Sequence, residues 1–218
     1  PPTYPARLPP SATLRYEVRR GFLRGSGEMR WQSTDARYTL ALEARIGGLP
    51  LLTQSSSGDV DAHGLAPERF VDQRLRRAPL AANFHRDSGT ITFSGTGQQW
   101  PLLPGTQDRL SVLIQLAGIV TAQPEMQAEG GRVVIVVVGA RGEAALWTIR
   151  FAGFEDVDTI DGPVRAAKWV RMARTVADSS AELWLDPARH HFPVHATFRN
   201  SAGAAEYDLL LEKIELGP

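Results

Sequence analysis

The chain has 218 residues, no cysteine, and 24 basic and 24 acidic side chains that cancel to a formal net charge of zero. That length suits one large β domain or two small ones with a sizeable core. Without cysteine, disulfide frameworks, thiol catalysis and zinc–thiolate sites are excluded, and no long block of either sign marks a nucleic-acid or anionic-membrane surface.

The opening PPTYPARLPPS carries four prolines in its first nine residues. It reads as an extended linker over residues 1–11, leaving 12–218 as a single β-barrel-like domain. A chain that begins inside a linker is expected to follow a targeting or membrane-tethering segment upstream. Thr13–Arg19 then alternates, Leu14, Tyr16 and Val18 against Arg15, Glu17 and Arg19. Gly21, Gly25 and Gly27 loosen the next segment before Glu28–Gln32 resumes with Met29 and Trp31 inward. Arg37–Ile46 has one wet and one dry face, the mark of an antiparallel sheet, and Gly47-Gly48 and Pro50 end it. Leu51–Asp59 is a polar strand and Gly64-Leu65-Ala66-Pro67 a turn. Shorter strands are predicted at Arg69–Leu75, Leu80–His85 and Thr90–Ser94, the last pair joined by Asp87-Ser88-Gly89.

Thr106–Val120, TQDRLSVLIQLAGIV, is the one convincing helix. Leu110, Leu113, Ile114 and Ala117 form its stripe, and Val112, Leu116, Ile119 and Val120 make the other faces apolar as well. Thr106 reads as the N-cap and Asp108 as a first-turn anion favoured by the helix dipole. Pro104-Gly105 precedes the helix and Pro124 stops it. At about 1.5 Å per residue it is roughly 20 Å long, too short to span a bilayer. A helix apolar on most sides in a β-rich chain is expected to plug or cap a curved sheet.

Beyond it, the β-branched run Arg132–Val138 is compatible with a strand covered on both faces. Trp147, Ile149 and Phe151 share a face of the next strand, and Val164–Thr175, Ala181–Leu185, His195–Arg199 and Glu206–Leu216 follow. In the last of these the inward parity passes from Tyr207, Leu209 and Leu211 to Ile214 and Leu216, which predicts a bulge near Glu212. The spacing of the segments predicts an all-β fold: an antiparallel β-barrel or spiral, strongly curved sheet with one buried or capping helix over about residues 107–120.

Three stretches, GLAPERF at Gly64–Phe70, LLPGTQDRLSVLIQLA at Leu102–Ala117 and LWLDPARHHFPV at Leu183–Val194, together resemble the bacterial family called domain of unknown function 3108, from roughly Ser11 onward. The resemblance implies an exported or envelope-anchored protein of Gram-negative bacteria behind a proline-rich tether, and it implies no activity. Where such proteins usually read Pro-Val-Arg, this chain reads Pro193-Val194-His195, so a role for that arginine does not carry over.

His190, His191 and His195 are dense enough to suggest a metal, but adjacent histidines point apart in an extended chain, and polar loop residues around Pro193 are the preferred reading. Asp59, Asp61 and His63 alternate along one strand face, as in some metal sites, yet a solvated strand end produces the same pattern. No G-x-S-x-G elbow, paired-carboxylate or phosphate-loop signature is present. Trp31 and Trp147 fall on dry faces, whereas Trp184 alternates with Leu183 and Leu185 and is expected to be partly exposed. Arg109 is an odd charge at the start of an apolar helix. Local pairing with a carboxylate is preferred, and an acidic head group at a cavity mouth is the alternative. No catalytic, cofactor or metal residue is assigned; Arg109, Trp184, His190, His191 and His195 are the candidate contacts.

A curved sheet has more inward apolar surface than one short helix fills, and a barrel mouth is a common ligand site. The expectation is a monomeric, non-enzymatic periplasmic or envelope-anchored protein that binds a lipid or other hydrophobic ligand, or an envelope protein partner. A purely structural interaction module with a solid core is the alternative, and a hydrolase comes third.

Overall fold

The computed structural model describes residues 1–172, 179–199 and 205–217. The alternating segments become β1 (Ala12–Arg20), β2 (Leu23–Ser33), β3 (Arg37–Ile46), β4 (Leu49–Asp61), β5 (Gly64–Arg74), β6 (Leu80–His85), β7 (Thr90–Phe93) and β8 (Thr96–Pro101). A two-residue strand, β9 (Gln107–Asp108), leads into helix α1 (Ser111–Ala122). Then come β10 (Arg132–Val138), β11 (Ala144–Thr159), β12 (Gly162–Arg171), β13 (Ser180–Asp186), β14 (Phe192–Arg199) and β15 (Ala205–Leu216).

All of them belong to one sheet, ordered β8-β7-β6-β5-β4-β3-β2-β1-β15-β14-β13-β12-β11-β10-β9. Two meanders run outward from the β1–β15 seam, and the edges β8 and β9 are not paired with each other. The predicted all-β fold is therefore the spiral form, a large curved sheet that does not close. Only β9 runs parallel to its neighbour, pairing Gln107 and Asp108 with Val137 and Val138. Across the gap between the edges, Trp100 Nε1 of β8 donates to the Gly142 carbonyl in the β10–β11 turn, at 2.8 Å.

The concave face wraps α1, and every residue from Ser111 to Val120 is buried. Leu110, Ile114, Leu116 and Ile119 are each 0% exposed although they point in different directions, so the helix fills the sheet rather than resting on it. Its start differs from the sequence reading. Residues 107–108 pair with β10, and the helix begins at Ser111, so Thr106 does not cap it. The capping oxygen is Asp108 Oδ1, which accepts from the Leu110 and Ser111 amides at 2.8 and 2.7 Å.

Other boundaries shift for similar reasons. Gly64 to Pro67, read as a turn from its Gly and Pro, opens β5 and pairs with Asp61 to Gly58; a positive φ of 96° at Gly64 is what the glycine supplies. Polar β8, 96–101, is recruited by pairing with β7. The outer face of β10 is only half-buried at Val134 and Val136 rather than covered. The strand read as Val164–Thr175 is described to Arg171, and its residues 173–175 lie outside the described residues. The bulge expected near Glu212 is there: Lys213 pairs with Arg15 and Leu211 with Tyr16, leaving Glu212 as the extra residue.

The ends of the sheet differ. The turns at 62–63 and 187–191 lie at the end toward which α1 descends, and this end is tied shut. Gln115 on the helix accepts from the Leu65 amide at 2.8 Å and donates to the His63 carbonyl at 2.6 Å, while Gln107 donates to the Leu65 carbonyl at 2.6 Å. At the helix C-terminus, Thr121 Oγ1 donates to the Ala117 carbonyl and lies 2.8 Å from His191 Nδ1. Residues 1–11, read as a linker, have no regular structure but are docked here. The Arg7 amide donates to Gly118 O, the Tyr4 phenol accepts from the Val134 amide, and Pro9 O accepts from Trp31 Nε1. Proline-rich backbone lacks the donors for a ladder but lies flat against a helix where a glycine leaves room. A Cβ on Gly118 would sit 3.1 Å from Leu8 and 3.3 Å from Ala6.

Candidate functional site

The opposite end carries the turns at 21–22, 47–48 and 75–79, and here, among the described residues, the sheet is open. Arg20, Arg74, Arg77 and Arg141 surround a depression of about 360 Å³ with Leu51, Leu75, Glu206 and Tyr207. Arg20 and Arg74 share the parity of the inward residues of their strands, so the alternation that builds the core delivers these guanidiniums to its rim. Two further depressions of comparable size differ in character. One, about 360 Å³, has a balanced lining of Arg15, Arg30 and Arg45 against Glu28, Glu43 and Glu212. The other, about 410 Å³, is lined by Ser, Thr and aromatic residues with Arg37 as its single charge. Of these three depressions, the mouth alone is strongly cationic.

The mouth has a floor. Below it a gap of about 30 Å³ lies among Arg109, Trp147, Phe198 and Tyr207, and a last one of about 10 Å³ touches Val112 and Leu113 of the helix. A site for a drug-sized or lipid ligand needs roughly 300–1,000 Å³, so the helix leaves no such room in the interior among the described residues.

Several of the mouth's cations are tethered by carboxylates. Asp72 holds Arg74 at 3.1 Å and Arg141 at 3.9 Å, and it also accepts from Gln54. Glu206 lies 3.6 Å from Arg74. Arg109 pairs with Glu143 at 3.1 Å, as its preferred reading had it, and it lies on the floor of the mouth. Arg171, nearly fully buried, places its guanidinium 4.7 Å above the Trp147 ring.

The other candidates lie elsewhere. Trp184, expected to be partly exposed, is 7% exposed. It sits in a row across the convex face, where Lys168 and His195 are its cross-strand partners. His195 stacks on it at 4.3 Å, Lys168 Nζ lies 4.8 Å from its ring, and its indole N–H donates to Glu155 at 2.8 Å. Burial lowers the His195 pKa, against the opposing charge of Asp208. His190 and His191 are both left-handed, with φ of 55° and 57°, in the turn after Asp186. The single Thr121 hydroxyl hydrogen goes to Ala117, so His191 Nδ1 is the donor to Thr121. Nε2 then accepts from Gln127 at 3.3 Å, a neutral tautomer consistent with the lowering of its pKa by burial. The histidines do not converge on one another, and no group of three or more His, Asp or Glu among the described residues is placed to hold a metal.

One cluster escaped the sequence reading. Tyr38 Oη lies 2.8 Å from Ser56 Oγ, which donates to Asp108 Oδ2 at 2.5 Å. Burial pushes the Asp108 pKa up to about 6, restrained by hydrogen bonds from Ser56 and from the Ser111 and Leu110 amides. The signal was the parity of Ser56, in step with inward Leu52 and Gln54. A serine beside a carboxylate resembles a nucleophile, but Tyr38, Ser56 and Asp108 are 2%, 1% and 0% exposed. All three are enclosed, and their arrangement links β3, β4 and the start of α1.

Fold and site together define a class: an open, curved antiparallel sheet filled by one helix, tied shut at one end and cationic at the other. A family model described as "Protein of unknown function (DUF3108)" matches residues 13–210, and the chain belongs to that family. Its resemblance motifs meet at the closed end, where GLAPERF receives Gln107 and Gln115 and LWLDPARHHFPV receives Thr121. No curated protein matches the chain. Among solved structures it is similar to a β-barrel-like protein of domain of unknown function DUF1849 from Brucella abortus, with TM-score 0.60 and 14% identity, over 98% of this chain and 100% of that one. MucB matches at TM-score 0.35 and 13% identity, over 96% of this chain and 54% of that one. MucB in the Pseudomonas aeruginosa MucA/MucB complex gives 0.36 and 11%, over 95% and 52%. The chain thus spans about half the length of MucB.

Proposed function

We propose that this is a non-enzymatic module of the bacterial cell envelope, facing the periplasm, that receives an acidic segment of a partner protein at its arginine-lined mouth. The observation that carries the reading is the open depression of about 360 Å³ bordered by Arg20, Arg74, Arg77 and Arg141 above an interior already filled by α1. Guanidiniums offer planar forks matched to carboxylates, and a concave cationic surface draws an anionic partner in before contact. Between the two binding functions expected from sequence, the filled interior favours the protein partner over an enclosed lipid.

The test is titration of the protein with an aspartate- and glutamate-rich decapeptide at low salt, followed by backbone amide shifts and by Trp147 fluorescence. Saturable binding centred on Arg20, Arg77 and Arg141, weakened by salt and by Arg141→Glu, is expected. No binding, or binding indifferent to Arg141→Glu, would refute it. A native mass spectrum should show the bare chain; a co-purified lipid would return the interior-carrier reading to first place.

A further inference from the structure

The hairpins β1–β2, β3–β4 and β5–β6 are successive in the sheet and turn at the same end. With strands about 4.8 Å apart, neighbouring tips lie roughly 10 Å from one another. They present large apolar side chains to solvent: Phe22 at 105% exposure, Leu23 at 58%, Leu49 at 55% and Leu75 at 38%. Phe22 follows Gly21, whose φ of 59° makes the tight turn that thrusts the ring outward. The tip sequences RRGFLR (19–24), RIGGLPLL (45–52) and RLRRAPL (74–80) hold seven arginines and no acidic residue. Some of these arginines pair backward with acids on the strands: Arg24 with Glu17, Arg45 with Glu43, Arg74 with Asp72. Arg20, Arg76 and Arg77 have no carboxylate partner among the described residues.

We infer that this rim docks on an anionic lipid bilayer, with Phe22, Leu23 and Leu49 entering the head-group boundary and Arg20, Arg76 and Arg77 meeting lipid phosphates. The charge complementarity argues for this occupant. Large apolar tips interleaved with cations alone match an interface that is apolar below and anionic above. Basic side chains near such a surface add about fivefold each to partitioning, and an aromatic ring suits the head-group level. The overall charge of zero hid this patch, because its cations come from three separate turns. The inference does not rest on the acidic-segment reading of the mouth, although Arg20 and Arg77 border both: the Phe22, Leu23, Leu49 variant with vesicles tests the rim alone, and Arg141→Glu with the peptide tests the mouth alone.

The experiment is flotation of the full chain with vesicles of phosphatidylglycerol and phosphatidylethanolamine, and separately with phosphatidylcholine alone. Binding to the anionic vesicles, loss by 0.5 M salt, and at least tenfold weaker binding to phosphatidylcholine are expected. The triple variant Phe22→Ser, Leu23→Ser, Leu49→Ser and the triple variant Arg20→Glu, Arg76→Glu, Arg77→Glu should each lose binding by tenfold or more with an unchanged melting curve. As these side chains are exposed, folding is not at stake. A Phe22→Trp variant should show an emission blue shift with anionic vesicles and none with neutral ones. Absence of binding to anionic vesicles, equal binding to neutral ones, or binding that survives both triple variants would overturn the inference. So would a Phe22→Trp probe that responds to an acidic peptide but not to vesicles, which would assign the tips to a protein partner.

Discussion

The two ends of the curved sheet are built from the same strands and have opposite chemistry. At the closed end, side-chain amides of Gln107 and Gln115 satisfy the backbone around Leu65, His191 meets Thr121, and residues 1–11 lie across Gly118. At the open end the helix has not yet begun, and arginines stand where apolar side chains would continue the core. The stretches that carry the family resemblance gather at the closed end. A family signature can therefore report how the helix is held inside the sheet. The difference has an energetic root. A closed end gains from burial and from side-chain hydrogen bonds to buried backbone groups, whereas surplus like charge at a rim costs stability.

The contrast breaks most easily at the helix. Leu116→Ala, at a residue 0% exposed, should cost about 2–5 kcal/mol in urea denaturation, as large-to-small changes in packed cores do. A cost under about 1 kcal/mol would mean that the sheet is not filled.

Asp108 sharpens it next. Its folded pKa of about 6 stands above the ordinary 3.8, so the folded state holds the proton more tightly. The sign follows: its contribution is most favourable below about pH 4, declines as pH rises from about 4 to 6, and is flat above. The full decline is on the order of 3 kcal/mol. Asp108→Asn keeps a capping oxygen and should remove this decline, seen as the difference between the two stability–pH curves. Parallel curves would place the carboxylate in water.

His191 works in the opposite direction. With its pKa lowered by burial, its contribution is complete above the ordinary histidine range and is lost as pH falls below it. His191→Gln should flatten that part of the curve.

Gly118→Val tests the strap. Its side chain would meet Leu8 and Ala6, costing about 1–3 kcal/mol and exposing residues 1–11 to faster proteolysis. Unchanged cleavage would mean that the segment is not held by the helix. At the mouth, Arg141→Ala should move stability by no more than about 0.5 kcal/mol, while weakening peptide binding. A large loss would make the mouth part of the core.

Much of this was legible from local pattern. Period-two alternation marked β1, β3 and β15 down to the bulge at Glu212, because a residue's face is a local property of an extended chain. The helix was visible as apolar on every side, and its burial followed, since no partial packing hides such a surface. Its first turn was misread because Gln107 and Asp108 make their hydrogen bonds with β10, some thirty residues on in the chain. Trp184 looked exposed by alternation, yet partners from β12 and β14 cover it on the convex face.

The sequence by itself determined that the chain is a curved β-sheet around one buried helix, since strand periodicity and an all-apolar helix are encoded in neighbouring residues. Tertiary structure alone decided which end is sealed and which is open, that Ser56 and Tyr38 close on Asp108, and that arginines from separate turns share one rim. Those juxtapositions depend on strand order and register, which bring residues tens of positions apart to within a few ångströms.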